Sequence, residues 1–262
     1  MDWWRVVRLV LLGIIGLSLC LAASAMLTHR IDANAPDSAP WSEADTGVVV
    51  HLASGALVQV TGRTCSGSVA GSGFVADGHV ITNQHLVAGA ATMALSRRPA
   101  SGRVGRLHLA VARSSPQHDL ATSENLGSQG AGGHGLELAD DDAAVGQPVL
   151  AFGWVNGELH WIETTVQLQT TVQLQTTVQL QTTVQLQGQG RAYGLDRPVM
   201  LLDRPVTYGY SGGPVLDRQG RVVGVVRAVD RATSLTLAIP VSDLTDWLQS
   251  KEPVGDSTAC SG

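Results

Sequence analysis

Aromatic residues are scarce, at 4% of the 262 positions, and charged residues make up only 15%. Positive charge is thin as well. The formal net charge is −5, no basic stripe runs along any stretch, and Lys251 is the only lysine among seventeen cations. A chain that grips nucleic acid needs a basic face to displace counterions from the phosphates, so that class of function is excluded. Cysteine is limited to three residues. Cys20 lies inside an apolar run, which leaves Cys65 and Cys260 for the folded part. Two cysteines on an exported chain suggest one disulfide, worth up to about 5 kcal/mol for so long a loop; two unrelated thiols are the alternative. Metal-ligand spacing is missing too. His29, His51, His79, His108, His134 and His160 are scattered, and the acidic run Asp140-Asp141-Asp142 lacks the spacing of a calcium loop, so it reads as a solvated turn. No metal or cofactor is expected.

What the chain does have is apolar content (44%) and glycine (30 residues), enough for a core built from short strands joined by tight turns rather than a helical bundle. Arg5 and Arg8 precede an uncharged run from Leu9 to Leu27. Its length suits a membrane-spanning helix, and Ala23-Ser24-Ala25 also offers a cleavage site. Residues 1–27 therefore read as a signal anchor or a signal peptide, with the basic end in the cytoplasm and the remainder exported. Residues 28–46 are polar and proline-bearing, a linker. From Gly47 onward, short apolar runs alternate with turn residues: Val48–Leu52, Ala56–Val60, Ser72–Ala76, His79–Thr82, Thr92–Leu95, Arg106–Ala112, Pro148–Gly153, Leu159–Ile162, Val199–Leu202, Pro214–Leu216, Arg221–Val226 and Leu235–Ile239. This spacing predicts an all-β barrel or sandwich. Asp77-Gly78 marks a hairpin, and Val241–Leu248 a short C-terminal helix starting near Ser242 or Asp243.

Residues 164–187 are Thr-Thr-Val-Gln-Leu-Gln four times without a substitution. Structural repeats diverge, and six residues are too few for a helical solenoid module. The segment reads as one genuine strand with three further copies, each still alternating as a strand does.

Chemistry concentrates in Tyr208-Gly209-Tyr210-Ser211-Gly212-Gly213-Pro214. Glycines on both sides leave the serine oxygen uncovered and let the amides of Gly209 and Ser211 converge on one point, as an oxyanion requires. Upstream stand Gly71-Ser72-Gly73-Phe74, then Ile81-Thr82-Asn83-Gln84-His85-Leu86-Val87; next Ser115-Pro116-Gln117-His118-Asp119-Leu120-Ala121; then Val145-Gly146-Gln147-Pro148 through Gly153; downstream follows Leu237-Ala238-Ile239-Pro240-Val241. These segments, in the order His, Asp, Ser, resemble trypsin-like serine proteases of the HtrA branch, most of all the membrane-anchored periplasmic MarP type, over about residues 47–250.

The resemblance implies a chymotrypsin-like double β-barrel, with barrel 1 over about residues 47–125 and barrel 2 over about 136–240, followed by a tail at 251–262. It implies a triad of His85, Asp119 and Ser211, an oxyanion hole from Gly209 and Ser211, and a first substrate pocket formed by Pro205, Val206 and Leu235. It also implies a Cys65–Cys260 disulfide. The expected activity is endopeptidic cleavage of extracytoplasmic polypeptides through an acyl-enzyme. The expected location is the bacterial cell envelope, on the membrane's periplasmic side, or outside the cell after signal cleavage. His118 reads as exposed, and Ser72 as part of a structural strand. Unlike most HtrA proteins, the sequence carries no PDZ segment after the protease match. Tyr210 departs from the small polar residue usual before the nucleophile, so a catalytically inactive binding or scaffold protein of the same fold is the alternative.

Overall fold

A computed structural model describes residues 39–64, 67–97, 105–127, 135–171, 197–230 and 233–250. The N-terminal apolar run, Cys65, Cys260 and the repeat copies beyond Thr171 lie outside the described residues. Among the described residues no helix is long and apolar enough to cross a membrane.

The first element corrects the sequence reading. Residues expected to be linker and then strand (Val48–Leu52) form helix α1, Glu43–Ala56. Ser42 caps it, its hydroxyl accepting from the Asp45 amide at 3.1 Å, and Glu43 and Asp45 place negative charge in the first turn, where the helix dipole favours it. Val49, Ala53 and Ala56 are buried while Val48 and Leu52 face solvent. That is a 3.6-residue pattern, which three consecutive valines conceal.

Twelve strands follow: β1 Leu57–Thr64, β2 Gly67–Ala76, β3 His79–Thr82, β4 Thr92–Arg97, β5 Gly105–Ser115, β6 Leu120–Ser123, β7 Pro148–Val155, β8 Glu158–Thr171, β9 Pro198–Leu202, β10 Pro214–Leu216, β11 Val222–Asp230 and β12 Leu235–Pro240. They close two barrels in the same order, β1-β2-β3-β6-β5-β4 and β7-β8-β9-β12-β11-β10. Closure removes the unpaired edges that six short strands would otherwise expose. The β2–β3 turn is the expected Asp77-Gly78, with both residues at positive φ, the geometry that matches strand twist. The first Thr-Thr-Val-Gln-Leu-Gln copy is not a strand of its own. It continues Leu159–Ile162 as the second half of β8, paired to β7 through Thr164 and Thr165 and to β9 from Val166 onward.

Helix α2, Val241–Gln249, closes the described chain. Asp142 accepts both the Ser242 amide (2.9 Å) and the Ser242 hydroxyl (2.7 Å), so one member of the acidic run holds the first turn of this helix. At the other end Arg113 of β5 donates to the Trp247 and Leu248 carbonyls at 2.9 Å and lies 4.9 Å over the Trp247 ring, a cation at a helix C-terminus. Between the barrels, Phe74, Ile81 and Leu120 meet Leu150, Phe152, Leu216 and Ile239, with Val49 and Trp247 from the helices. This shared core holds the two barrels against each other, and β2 of the first also bonds to the serine segment of the second through the Ser72 amide and the Ser211 carbonyl.

Candidate active site

His85 sits in a short 3-10 turn, Gln84–Leu86, directly after β3. Asp119 ends the β5–β6 connection with φ +54, a left-handed conformation that a non-glycine residue holds only when its surroundings impose it. Here they do. The Asp119 carbonyl accepts from Asn83 Nδ2 (3.0 Å) and the Gln84 amide (3.1 Å), while its Oδ1 accepts the His85 amide at 3.0 Å. His85 Nδ1 lies 3.0 Å from both carboxylate oxygens. The imidazole is thereby fixed with Nε2 directed away from the carboxylate, and its side chain is 44% exposed against 8% for Asp119. A buried carboxylate behind a solvent-facing imidazole is the arrangement a general base requires.

His118 is not exposed, contrary to the sequence reading; it is 4% exposed. Its Nδ1 stands 3.4 Å from Oδ2 of Asp243 on α2. Arg197 pairs with the same carboxylate, and Trp247 lies beside the His118 ring. The residue next to Asp119 is thus anchored in a buried charged cluster, which helps impose the strained backbone at Asp119.

Ser211 lies in the loop between β9 and β10. Two barrels meet at its backbone, because the Ser72 amide of β2 donates to the Ser211 carbonyl at 2.7 Å. The fully buried Ser72 hydroxyl donates to the Gly209 carbonyl at 2.6 Å and accepts the Trp154 amide at 2.7 Å. Ser72 therefore ties the serine loop to both barrels, a role that the Gly-Ser-Gly motif alone did not disclose. Gly209 has φ +104, and a Cβ there would lie 2.3 Å from the Trp154 carbonyl oxygen, so only glycine fits. Among the described residues no hydrogen bond takes the N–H of Gly209 or Ser211, which leaves both available to an oxyanion.

Tyr210 is accommodated rather than disruptive. It is 4% exposed and packs with Ala151, Val215 and Val226. Gly153 of β7 makes room, since a Cβ there would come within 2.6 Å of the Tyr210 ring. Burial pushes the Tyr210 phenol up to about 12, so the ring is neutral.

The Ser211 hydroxyl donates to the Arg227 carbonyl at 3.1 Å, and among the described residues no hydrogen bond joins it to His85. Arg227 was not anticipated. Its side chain is buried and its Nε lies 3.2 Å from Asp119 Oδ2. The signal available for it was a lone arginine within an apolar strand.

The residues expected to form a substrate pocket divide. Val206 faces the interior of the second barrel, and its amide donates to Thr236 Oγ1 at 3.0 Å, that hydroxyl donating in turn to the Arg204 carbonyl at 2.6 Å. Pro205 is exposed beside it. Leu235 packs with Val199, Leu201 and Leu237 on the other face of β12, so the structure does not group it with Val206. Asp203 Oδ1 accepts from the Thr164 hydroxyl (2.7 Å) and the Thr165 amide (2.8 Å), which fastens the first repeat copy to this pocket loop. A cavity of about 730 Å³ lies elsewhere, between the Asp77-Gly78 turn, Glu137 and Leu248, and touches none of His85, Asp119 and Ser211.

A family model described as a trypsin-like peptidase domain matches residues 71–225. Among solved structures, the chain is similar to the Rv3671c protease from M. tuberculosis in its active form, at 21% identity over 89% of this chain and 99% of that chain, TM-score 0.63. It is similar to the HtrA-type protease AlgW with tripeptide, at 22% identity over 80% of this chain and 63% of that chain, TM-score 0.61. It also resembles the MamO protease domain from Magnetospirillum magneticum, at 21% identity over 77% of this chain and all of that chain, TM-score 0.58. These likenesses bear on the fold. No curated protein sequence matches the chain.

Proposed function

We propose, for a chain that belongs to the trypsin-like peptidase family and is a serine endopeptidase, that Ser211, His85 and Asp119 cleave extracytoplasmic polypeptides through an acyl-enzyme. The observation that carries this reading is the two-oxygen hold of Asp119 on His85 Nδ1, opposite a serine whose loop keeps two amides unbonded. Ser211 Oγ turns from the Arg227 carbonyl to His85 Nε2 and attacks the scissile carbonyl as its proton passes to the imidazole. The Gly209 and Ser211 amides receive the oxyanion, each worth roughly 3–4 kcal/mol in related chemistry. The imidazolium, steadied by Asp119, then returns the proton to the leaving amine. Water repeats the sequence on the ester.

The pocket loop supports an aliphatic preference for the residue before the cut bond. The loop carries the apolar Pro205 and Val206, and the neighbouring Thr236 hydroxyl is already engaged as both donor and acceptor. The carboxylate on this loop, Asp203, is engaged by Thr164 and Thr165, so a lysine or arginine entering there would have to compete for it at the cost of its own desolvation. An export signal at residues 1–27 would put the domain on the outer side of the cytoplasmic membrane, with a Cys65–Cys260 disulfide formed there.

Incubating the folded protein with a peptide library and identifying the cut sites tests both parts. Cleavage after Val, Ala or Leu that disappears in Ser211→Ala is expected. Strong Arg or Lys preference would overturn the pocket assignment, and absence of any Ser211-dependent cleavage would overturn the triad.

A further inference from the structure

We propose that Arg227 is a positioning residue that holds the triad at rest, its carbonyl occupying the Ser211 hydroxyl while its guanidinium shares the Asp119 carboxylate with His85. The inference rests on the protease reading above and adds to it a built-in restraint on the rate.

Arg227 occupies a β-bulge. The register of β11 on β12 passes from Val226↔Ala238 to Ala228↔Leu237, leaving Arg227 as the extra residue, and bulges re-aim the residue they carry. This bulge lies directly against the serine loop. The Gly212 amide donates to the Val226 carbonyl and the Val226 amide to the Gly213 carbonyl, each at 2.8 Å.

The backbone of Arg227 acts on the nucleophile. A hydroxyl has one hydrogen to donate, and that of Ser211 goes to the Arg227 carbonyl at 3.1 Å. Until it is released, the proton cannot pass to His85.

The side chain acts on the orienting carboxylate. The Arg227 side chain is 6% exposed, and its Nε lies 3.2 Å from Asp119 Oδ2, the oxygen that also lies 3.0 Å from His85 Nδ1. The Nε–H is not aimed at any acceptor among the described residues, so its influence on Asp119 is that of a nearby charge rather than a directed bond. During acylation Ser211 Oγ bonds to the acyl carbon and its proton moves to His85, creating an imidazolium that relies on the Asp119 charge. A guanidinium is permanently cationic. With Arg227 on one side of Oδ2 and the new cation on the other, part of that stabilisation is cancelled. At an effective dielectric near 20 the repulsion of two such charges corresponds to about tenfold to a hundredfold in rate. A purely structural role makes the opposite forecast, since removing the cation would then leave Asp119 less well paired and the enzyme slower.

The test measures kcat, KM and the second-order rate constant for inactivation by a fluorophosphonate probe on the full chain, for wild type and for Arg227→Met, Arg227→Gln and Arg227→Lys. The two neutral variants are expected to raise kcat and the inactivation constant about tenfold to a hundredfold, with KM within about threefold. The lysine variant keeps a cation beside Asp119 and is expected to react more slowly than either neutral variant. Neutral variants that fold, by near-ultraviolet circular dichroism, and react no faster than wild type would overturn the inference while leaving the protease reading intact. Failure of both neutral variants to fold would make the ion pair structural and overturn it likewise. A folded wild type and folded variants that all fail to react would remove the protease reading as well.

Discussion

Replacing Ser72 by alanine should damage catalysis from a residue with no place in the triad. Its hydroxyl is fully buried and serves two partners, donating to the Gly209 carbonyl at 2.6 Å and accepting the Trp154 amide at 2.7 Å. Ser72→Ala leaves one acceptor and one donor buried and unmatched, at about 1–3 kcal/mol each. The net loss should be about 2–4 kcal/mol, or a fall in Tm of about 5–15 °C for a domain near 200 residues. The kinetic effect follows from the tether. In the proposed mechanism Gly209 supplies one of two oxyanion donors, and full removal of such a donor costs about a hundredfold or more in kcat. The backbone bond from the Ser72 amide to the Ser211 carbonyl survives the substitution, so the loop is loosened rather than released, and kcat should fall about tenfold with KM nearly unchanged. Thr82→Val is the control. It deletes a buried bond to the Ser72 carbonyl (2.7 Å) without touching Gly209, so it should lower Tm and spare kcat. Steady-state kinetics on a peptide substrate, with scanning calorimetry alongside, makes the comparison. A Ser72→Ala protein with the expected loss of stability but kcat within about twofold of wild type would refute the proposed link between this hydroxyl and the oxyanion loop.

Gly209→Ala sets a side chain at φ +104 and 2.3 Å from the Trp154 carbonyl oxygen; the strained loop should lose about a hundredfold or more in kcat, read in the same assay. Asp243→Asn leaves His118 and Arg197 without their shared carboxylate. It should cost about 2–4 kcal/mol in chemical denaturation and lower kcat severalfold by freeing the turn that carries Asp119. Tyr210 gives a pH signature. Its phenol is pushed up to about 12 in the folded state, against about 10 unfolded. Between those values the unfolded chain has lost a proton that the folded one keeps, so the Tyr210 contribution is fully present below pH 10 and is lost as pH rises toward 12. Alkaline unfolding should therefore be shallower in Tyr210→Phe, by about 2 kcal/mol over that window.

The all-β character was legible because strand alternation and turn chemistry agree along most of the chain, whereas the double barrel was implied only by the resemblance to trypsin-like proteases. Pro214–Leu216 and His79–Thr82 fall at their expected bounds. Strand β6 was missed because Leu120–Ser123 is four residues long and buried along its whole length, with no alternation to read. Helix α1 was misread because Val48, Val49 and Val50 favour strand by propensity, whereas Ser42 capping and the burial of Val49, Ala53 and Ala56 against the barrels decide for helix. At the site, His85, Asp119 and Ser211 sit in segments whose residue types are demanded by their chemistry. His118 and Arg227 are different. Their importance comes from partners far along the chain, Asp243 for one and Asp119 for the other, and no local pattern announces such pairs. Tyr210 looked like a defect only because its neighbour in space, Gly153, is distant in sequence.

The most direct measurement is peptide mapping by mass spectrometry after exposure of the folded protein to a fluorophosphonate. The account predicts a single adduct on the Ser211 Oγ, absent in Ser211→Ala and formed at least about a hundredfold more slowly in His85→Ala. An adduct elsewhere, or one on Ser211 that forms at the same rate without the imidazole, would contradict it.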